Sequence, residues 1–514
     1  MKLITLFLLA LSQVAFSQHP EDLVSGDALA VLSIRNGSEI NSQLELINKR
    51  AGIDLQNTQV INNEILSLFI KNSSDIDLSK EVLLTIEPPV LADGQKATGM
   101  FGPMPHLVLI CKPKTGCELE IIPFSGVNKG TLHDGWFIAS GSNNWSPPQS
   151  DSLSPIFSEL PEGQLSLVIR FAKLWSQIGP LTQMAGGMMI GQMNKPGPTG
   201  VVDPKTRKQT AAISTAFRKV MQFCSQVEAL SMSASIQRGK LKTEVIVVQK
   251  NPATIYVDNS LMLKMSRGLS GRALQYAMSG DFTRALMDFQ LDSLGEQFDG
   301  FPVVTVTKGM RKLSDLQGDS VVSFGLDRNN GLTIAAFAEA SDLEAYLAQV
   351  PVVIDEMSDQ FADKFQMKLT PSVDSLTRWT VSMLGNDAQD MKVMNAVIPT
   401  DTILTFGDID GWIGFGFGSK KSHQFAEGRN ETDLSRLIES NEDISIEFAM
   451  AMDYRKFASG FLAVAKKAGT DGGKTLSKGP SAKTEIVIGM NATGYELGIE
   501  MELAGLAQLM VEMD

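Results

Sequence analysis

Histidine is the side chain most often used to bind zinc or to move a proton, and the sequence contains only four: His19, His106, His133 and His423. No two of them stand at the i, i+4 spacing of a helical zinc site, and none is paired with a cysteine in a zinc-binding pattern. His133 directly precedes an Asp-Gly turn, where a solvated histidine is more common than a catalytic one. The sequence therefore predicts no metal site, no cofactor and no histidine-based catalysis.

The short motifs that position a nucleophile or a phosphate group do not occur in the sequence. Gly268-Leu269-Ser270-Gly271 is one spacer short of a Gly-x-Ser-x-Gly elbow. Asp408 and Asp410, followed by Gly411, match only part of a calcium loop, so a hairpin turn explains them better. Carboxylate pairs of the glycosidase type stay open, because 58 acidic residues allow many pairs and only the fold decides which of them meet.

The three cysteines are Cys111, Cys117 and Cys224. Cys111 and Cys117 flank a Pro/Gly turn between two largely apolar runs, 106–110 and 118–122, which predicts a hairpin. Opposite positions of a hairpin can approach within disulfide reach, so we predict a Cys111–Cys117 bridge. The alternative is two unpaired thiols at a strand end. Cys224 is expected to be a core residue.

The first residues predict export. Lys2 precedes an apolar run, Leu3 to Leu11, that is too short to span a bilayer, and Ala15 and Ser17 satisfy the small-residue requirement of signal peptidase. We therefore predict a signal peptide at 1–17 and a periplasmic or extracellular location. No cysteine follows closely enough to receive a lipid, and no later stretch is long and apolar enough to predict a transmembrane helix.

The chain is acidic, with 45 Lys and Arg against 58 Asp and Glu, a net charge of −13 that becomes −14 once Lys2 is removed with the leader. Its basic runs, such as 205–208, are too short to form the clustered surface that neutralises phosphates. Nucleic acid is therefore not expected as a partner.

Methionine is concentrated in one stretch, Met184 to Met193. Flexible thioethers suit adaptable apolar binding surfaces, but methionine also fills gaps in protein cores, and the chain has 25 of them. Packing is the simpler interpretation, and the binding interpretation stays open.

Three features occur twice in the same order, which predicts an internal duplication. The first is an Asp-Gly-Trp hairpin at 134–136 and again at 410–412. The second is an alternating strand that leads into an amphipathic helix, from 165 and from 444. The third is a closing hairpin, from 232 and from 486. Reuse of common elements without duplication is the alternative.

These patterns predict an α+β fold with two similar lobes of antiparallel sheet backed by helices, at 18–250 and 300–514. The segment 251–299 is expected to be a helical bridge, because Leu274, Met278, Phe282, Leu286 and Phe289 recur three or four residues apart. Ser341 and Glu344 are expected to cap a helix in the second lobe. Residues 194–209, rich in Pro and Gly, are expected to be an exposed connector.

The order of these elements resembles a family of large exported bacterial proteins of unknown function with repeated α+β units. The resemblance implies the fold and no functional residue. Two functions are consistent with the sequence: a noncatalytic exported or envelope-associated protein that binds an apolar ligand or a protein, and a secreted hydrolase that uses carboxylates not identifiable from sequence. An apolar groove would favour the first, and convergent carboxylates the second. The oligomeric state is not predicted.

Overall fold

The computed structural model describes residues 19–51, 61–89, 105–122, 127, 129–142, 146, 155–193, 204–252, 254–269, 272–286, 303–327, 331–360, 365–370, 376–384, 388–419, 431–469, 476 and 479–513. The predicted signal peptide lies outside these residues. Among the described helices, none combines the length and the apolar composition that crossing a bilayer requires.

Helices and antiparallel strands alternate along the described chain, which gives a mixed α+β architecture. The strands are β1 (Ala30–Ile34), β2 (Val82–Glu87), β3 (His106–Cys111), β4 (Lys129–His133), β5 (Trp136–Ser140), β6 (Leu165–Ile169), β7 (Val227–Gln237), β8 (Lys240–Gln249), β9 (Leu274–Met278), β10 (Gln317–Asp327), β11 (Gly331–Ala340), β12 (Phe365–Thr370), β13 (Thr377–Met383), β14 (Thr402–Ile409), β15 (Trp412–Ser419), β16 (Ser445–Asp453), β17 (Lys483–Asn491) and β18 (Gly494–Glu502). The helices are α1 (Gly37–Ala51), α2 (Phe171–Met193), α3 (Pro204–Gln226), α4 (Ser260–Arg267), α5 (Val303–Leu316), α6 (Leu343–Gln360), α7 (Ala388–Val397), α8 (Asp433–Glu439), α9 (Tyr454–Ala468) and α10 (Leu503–Met513). Residues 280–286 are also helical.

The described strands form one 18-stranded sheet in which every pairing is antiparallel. Across the first half of the sheet the strand order is β4-β5-β3-β2-β1-β6-β7-β8. Across the second half it is β14-β15-β11-β10-β9-β16-β17-β18, with β13 and β12 added outside β14. The two halves meet where β8 pairs with β18.

The repeated local features predicted from the sequence form as expected. Both Asp-Gly turns close hairpins, β4 with β5 and β14 with β15, and Asp134 and Asp410 adopt the positive φ that such turns need. Each alternating strand, β6 and β16, leads directly into a helix. Asp453 caps α9 by accepting a hydrogen bond from the Lys456 N–H, and Gly469 ends that helix in the left-handed conformation.

Corresponding rows of residues cross the two halves in the same register. If Leu167 of β6 is matched to Met450 of β16, each four residues before its helix begins, the pairings connect them to five-residue rows. In the first half the row is Leu167, Leu32, Leu84, Leu109 and Ala139. In the second half it is Met450, Tyr276, Val322, Ala336 and Phe415, which we call the Tyr276 row. Its last member lies 276 positions after Ala139 (415 minus 139), which is also the spacing from Trp136 to Trp412.

The hairpin predicted around Cys111 and Cys117 is wrong. Cys111 ends β3, and β3 lies inside the sheet between β2 and β5, so both of its edges are already paired. Residues 118–122 instead run beside 69–72, where Ile121 forms an isolated bridge with Ile70. The predicted partner segment therefore has no free strand edge of β3 to pair with.

The predicted helical bridge at 251–299 is also wrong in part. It contains the short helix α4 and the helical residues 280–286, but Leu274–Met278 is strand β9, which pairs on both sides with β10 and β16. The spacing between Leu274 and Met278 fits a helix, yet these residues also occupy alternate positions of a strand. Residues 287–299 lie outside the described residues.

Two smaller expectations are corrected by local hydrogen bonds. Asp342, not Ser341, caps α6, because its Oδ1 accepts a hydrogen bond from the Ala345 N–H. The connector expected at 194–209 ends earlier, since α3 begins at Pro204. Residues 194–203 lie outside the described residues.

Candidate functional site

An apolar cavity lies against one face of the second half of the sheet. Its floor includes four members of the Tyr276 row, Met450 being the exception, and the neighbouring row two residues along each strand. That neighbouring row, which we call the Ser320 row, consists of Phe448, Met278, Ser320, Ala338 and Ile413. Successive side chains of a strand point to opposite faces, so the two rows share the face that lines the cavity.

Helices pack over this face and contribute part of the cavity wall. Its remaining lining comes from Leu313 of α5, from Thr283 and Leu286 of the 280–286 segment, from Phe337 and Phe406, from Gln317, and from Tyr346, Val350, Val353 and Ile354 of α6. The cavity has a volume of about 730 Å³ and is partly open to solvent. Ligand pockets typically span about 300–1,000 Å³, so this space is large enough for a small organic molecule.

The lining side chains are uncharged. Burial raises the pKa of Tyr346 to about 12, and it also raises the pKa of Tyr276. Both phenols are therefore neutral at physiological pH. Thr283 donates its hydroxyl hydrogen to the carbonyl oxygen of Ser279 at 2.9 Å, so that hydroxyl is already satisfied. Together these residues offer an apolar contact surface with few polar groups.

Ser320 is the most deeply buried polar residue among those that line the cavity. Its side chain is 3% exposed, and its Oγ has no hydrogen-bond partner among the described residues. A hydroxyl buried without a partner costs about 1–3 kcal/mol relative to one that is hydrogen-bonded. The floor of the cavity therefore includes a buried hydroxyl whose hydrogen-bonding capacity the described residues do not use.

Carboxylates lie beside the cavity, although none is among its lining residues. Asp319, Glu339 and Glu447 are the sequence neighbours of the lining residues Ser320, Ala338 and Phe448. Burial raises the pKa of Asp319, and the negative charges of Glu339 and Glu447 raise it further. Oδ1 of Asp319 accepts a hydrogen bond from the Gly280 N–H at 3.2 Å. These acidic groups therefore lie close to one another, but alternation along the strands directs side chains next to floor residues away from the cavity face.

A second, more polar cleft of about 630 Å³ lies at the start of α9. The residues that line it include Asp453, Arg455, Lys456, Ser459 and Ser481. Its one carboxylate, Asp453, already caps α9. A glycosidase of the common type needs a pair of carboxylates that flank the glycosidic bond to be cleaved. The lining of this cleft supplies only one. The cleft therefore does not favour the hydrolase hypothesis.

The three cysteines are free thiols in this structure. Cys111 is buried, and burial raises the pKa of its thiol to about 12. Cys117 and Cys224 are half-buried. The hairpin that would hold Cys111 and Cys117 opposite each other does not form, and the bridge stays a prediction.

The other residues considered from sequence lie far from a common centre. His133 ends β4, 3.7 Å from the Asp134 carboxylate, and His106 begins β3, where burial lowers its pKa. Oδ1 of Asp408 accepts a hydrogen bond from the Gly411 N–H at 2.8 Å, as expected for a turn residue. Among the residues that the structure describes, no group of three or more His, Cys, Asp or Glu side chains is placed to hold a metal ion.

The methionine-rich stretch ends helix α2, which packs against α3. Gly186 allows this close packing, because a Cβ there would meet the ring of Phe217 at 2.1 Å. Four methionines are exposed at 39–56%: Met184, Met188, Met189 and Met193. Packing in the core is therefore not their role, although nothing in the structure identifies a partner.

The cavity residues could not be identified from the sequence one segment at a time. Ser320, Ala336 and Ala338 lie on two strands and meet only through the pairing of β10 with β11. Only the strand pairings of the structure bring these residues together on one face.

Comparison of the chain with protein-family models found no match, and comparison with curated proteins found none either. Three solved structures of the protein TP0453 share 9–10% sequence identity with it, over 48–51% of this chain and 97–100% of theirs. Their TM-scores are 0.22–0.24, which do not indicate a shared fold. No property of TP0453 is therefore transferred to this chain, and its resemblance to exported proteins with repeated units stays a prediction.

Proposed function

We propose that this protein is an exported, noncatalytic binding protein that holds an apolar small molecule in the cavity of the second half. The observation that carries this proposal is the cavity itself, about 730 Å³ with an uncharged and largely apolar lining. Burying the apolar surface of a ligand there gains about 25 cal/mol per Å². Export rests on the predicted signal peptide, and the hydrolase alternative has no observation in its favour among the described residues.

We also propose that the two halves arose by duplication. Two independent spacings support this. The register that matches Leu167 to Met450 also matches Met232 to Ile486, an offset of 254 (486 minus 232). The turns of the two closing hairpins show the same offset, since Gln237 and Asn491 end their strands 254 positions apart. Toward the opposite edge of each half, the same register matches Ala139 of β5 to Phe415 of β15. Their offset of 276 equals the spacing between Trp136 and Trp412.

Duplication provides a physical account of the cavity. At three positions of β10 and β11 the second half has Ser320, Ala336 and Ala338, where the same register in the first half has Val82, Leu109 and Cys111. Those three first-half residues are fully buried in a solid core. Two larger floor residues, Tyr276 and Phe415, occupy the positions of Leu32 and Ala139 and flank Val322 and Ala336 in the same row. On the same sheet face the second half thus has smaller residues at three positions where the first half has larger, buried ones.

The experiment that tests ligand binding uses N-phenyl-1-naphthylamine, an uncharged probe whose fluorescence rises in apolar surroundings. Wild-type protein should bind it saturably, with one site per chain. Ala336→Phe should weaken binding at least about tenfold, because the added ring occupies the cavity. The matched control is Ala348→Phe, which adds the same ring on the exposed side of α6 and should leave the affinity unchanged.

Circular dichroism of both variants separates a filled cavity from a misfolded chain. Absence of saturable binding by the folded wild-type protein would contradict the proposal. So would equal affinities of folded Ala336→Phe and wild type, since the probe would then bind elsewhere.

A further inference from the structure

We infer that the ligand of this cavity is an uncharged amphiphile: an apolar molecule with one hydroxyl or carbonyl group that hydrogen-bonds to Ser320. The inference rests on the proposed function and specifies the class of ligand. Two groups of observations support it, the unsatisfied hydroxyl of Ser320 and the charges around the cavity.

Ser320 is placed so that the floor of the cavity cannot satisfy its hydroxyl. In the Ser320 row its direct neighbours are Met278 on β9 and Ala338 on β11, and neither side chain can donate to it or accept strongly from it. Its Oγ is buried and has no partner among the described residues. A ligand that enters the cavity can supply the missing partner, and a serine hydroxyl can either donate or accept.

The first half shows that packing does not require a hydroxyl at this position. In the matching register Val82 is 1% exposed and belongs to the apolar core. A valine at 320 would pack the floor without an unsatisfied polar atom. The serine therefore costs stability in the empty protein and is explained by a polar group that the ligand brings.

The surrounding charges favour an uncharged polar group over a carboxylate. Asp319, Glu339 and Glu447 neighbour floor residues in sequence, and the charges of Glu339 and Glu447 act on Asp319. Their side chains are not part of the lining, which itself offers no cation to an anionic ligand. Arg284, a cation near Gln317, is already paired with Asp281 and donates to the Gln317 carbonyl oxygen at 3.3 Å. A carboxylate buried in the uncharged lining would lack a cation, which is strongly unfavourable.

Three ligands of nearly equal shape test the inference: n-butylbenzene, 4-phenyl-1-butanol and 4-phenylbutanoate. Their dissociation constants are measured at pH 8 by displacement of N-phenyl-1-naphthylamine from wild type, Ser320→Val and Ser320→Thr. Valine is the residue at the matching position of the first half, Val82. Thr keeps the hydroxyl on a β-branched side chain that suits a strand.

In Ser320→Val the affinity for the alcohol should fall about fivefold to a hundredfold, because its hydroxyl would be buried without a partner. The affinity for butylbenzene should stay the same or rise. Ser320→Thr should retain most of the alcohol affinity. The carboxylate should bind wild type at least about tenfold more weakly than the alcohol.

An equal change in the affinities for alcohol and hydrocarbon in Ser320→Val would overturn the role of Ser320. A carboxylate that binds as tightly as the alcohol would overturn the preference for an uncharged ligand. Failure of the proposed function is a different result, in which neither the fluorescent probe nor any of the three ligands binds wild type.

Discussion

Glu244 of β8 and Gly498 of β18 lie directly opposite each other at the centre of the strand pairing that joins the two halves of the sheet. The pairing comprises nine residue pairs, from Gly494–Val248 to Glu502–Lys240, and Glu244–Gly498 is the fifth. Each residue is also four positions after the first residue of its strand. The two closing hairpins therefore meet symmetrically, as the two copies of a strand do at a twofold axis.

The β8–β18 pairing should hold the two halves together without a covalent connection. Between β8 and α4 we would insert a protease recognition sequence after Asn251, where the described residues 250–252 and 254–259 belong to no helix or strand. After cleavage the two fragments should elute together in size-exclusion chromatography, because the β8–β18 ladder and the contact between α1 and α10 remain.

The comparison variant for this experiment is Leu497→Pro in the cleavable chain. Thr493 accepts a hydrogen bond from the Gln249 N–H, so alternation along the ladder directs the Leu497 N–H toward Val245 of β8, and proline removes that donor. Its cleaved fragments should separate under conditions in which the parent fragments stay together. Fragments of the parent chain that elute separately would show that this pairing does not hold the halves.

Local structure was predictable from the sequence because its signals are local. Alternation from Ile446 to Met452, followed by Asp453 and closed by Gly469, determines a strand, a cap and a helix end within some two dozen residues. Long-range pairing was not predictable in this way. Cys111 was expected to face residues 118–122, but its cross-strand partner is Phe137 of β5.

The candidate site could not be predicted from local patterns either, because it depends on long-range strand pairing. Small residues such as Ser320 and Ala338 are unremarkable in sequence and form a cavity only because β10 and β11 bring them together. The spacing of Leu274 and Met278 suits both a helix and a strand. Only the pairing of β9 with β10 and β16 decides between them. Periodicity describes one element at a time, whereas a cavity is shared among several.

Stability should depend on pH through Glu87, which is 1% exposed. Burial raises its pKa, although hydrogen bonds from the Thr85 hydroxyl and the Ser25 N–H oppose the shift. A raised carboxyl pKa means that the folded protein binds the proton more tightly than the unfolded chain. The stabilising contribution is therefore fully present below the unfolded pKa of glutamate and is lost as the pH rises through the folded pKa.

Glu87→Gln should therefore be more stable than wild type at pH 8, and this difference should shrink as the pH falls to about 4. Urea unfolding midpoints between these pH values measure the effect. Glu118→Gln, at an exposed position, controls for the loss of a carboxylate elsewhere and should show little change. A Glu87→Gln protein less stable than wild type at pH 8 would contradict the prediction.

Thiol reactivity should distinguish the three cysteines of the folded, reduced protein. At pH 7.5 Cys111 should resist a maleimide, because it is buried and its thiol pKa is raised to about 12, so little thiolate is present. Cys117 and Cys224 are partly accessible and should react. All three should react after denaturation, as measured by mass spectrometry of labelled peptides.

The same labelling decides the predicted Cys111–Cys117 bridge. Protein purified under oxidising conditions and denatured without reductant should expose only Cys224 if the bridge exists. Labelling of Cys111 and Cys117 under those conditions would rule the bridge out and agree with the free thiols of the structure.

Glycines inside helices should respond to alanine according to the space around them. At Gly460 of α9 a Cβ would lie 1.8 Å from the carbonyl oxygen of Leu326, which is backbone and cannot rotate away. At Gly187 of α2 a Cβ would meet nothing within 4 Å. Alanine is favoured over glycine in a helix interior by about 1 kcal/mol, so this term is the same at both positions.

Gly460→Ala should therefore destabilise the protein by about 1–3 kcal/mol, because α9 must move away from β10 and the overpacking cost exceeds the helix-propensity gain. Gly187→Ala should stabilise it by up to about 1 kcal/mol. Urea unfolding at constant pH measures both changes against wild type. If Gly460→Ala were as stable as Gly187→Ala, α9 would not pack on β10 as closely as the structure shows. The shape of the cleft at the start of α9 would then also be wrong.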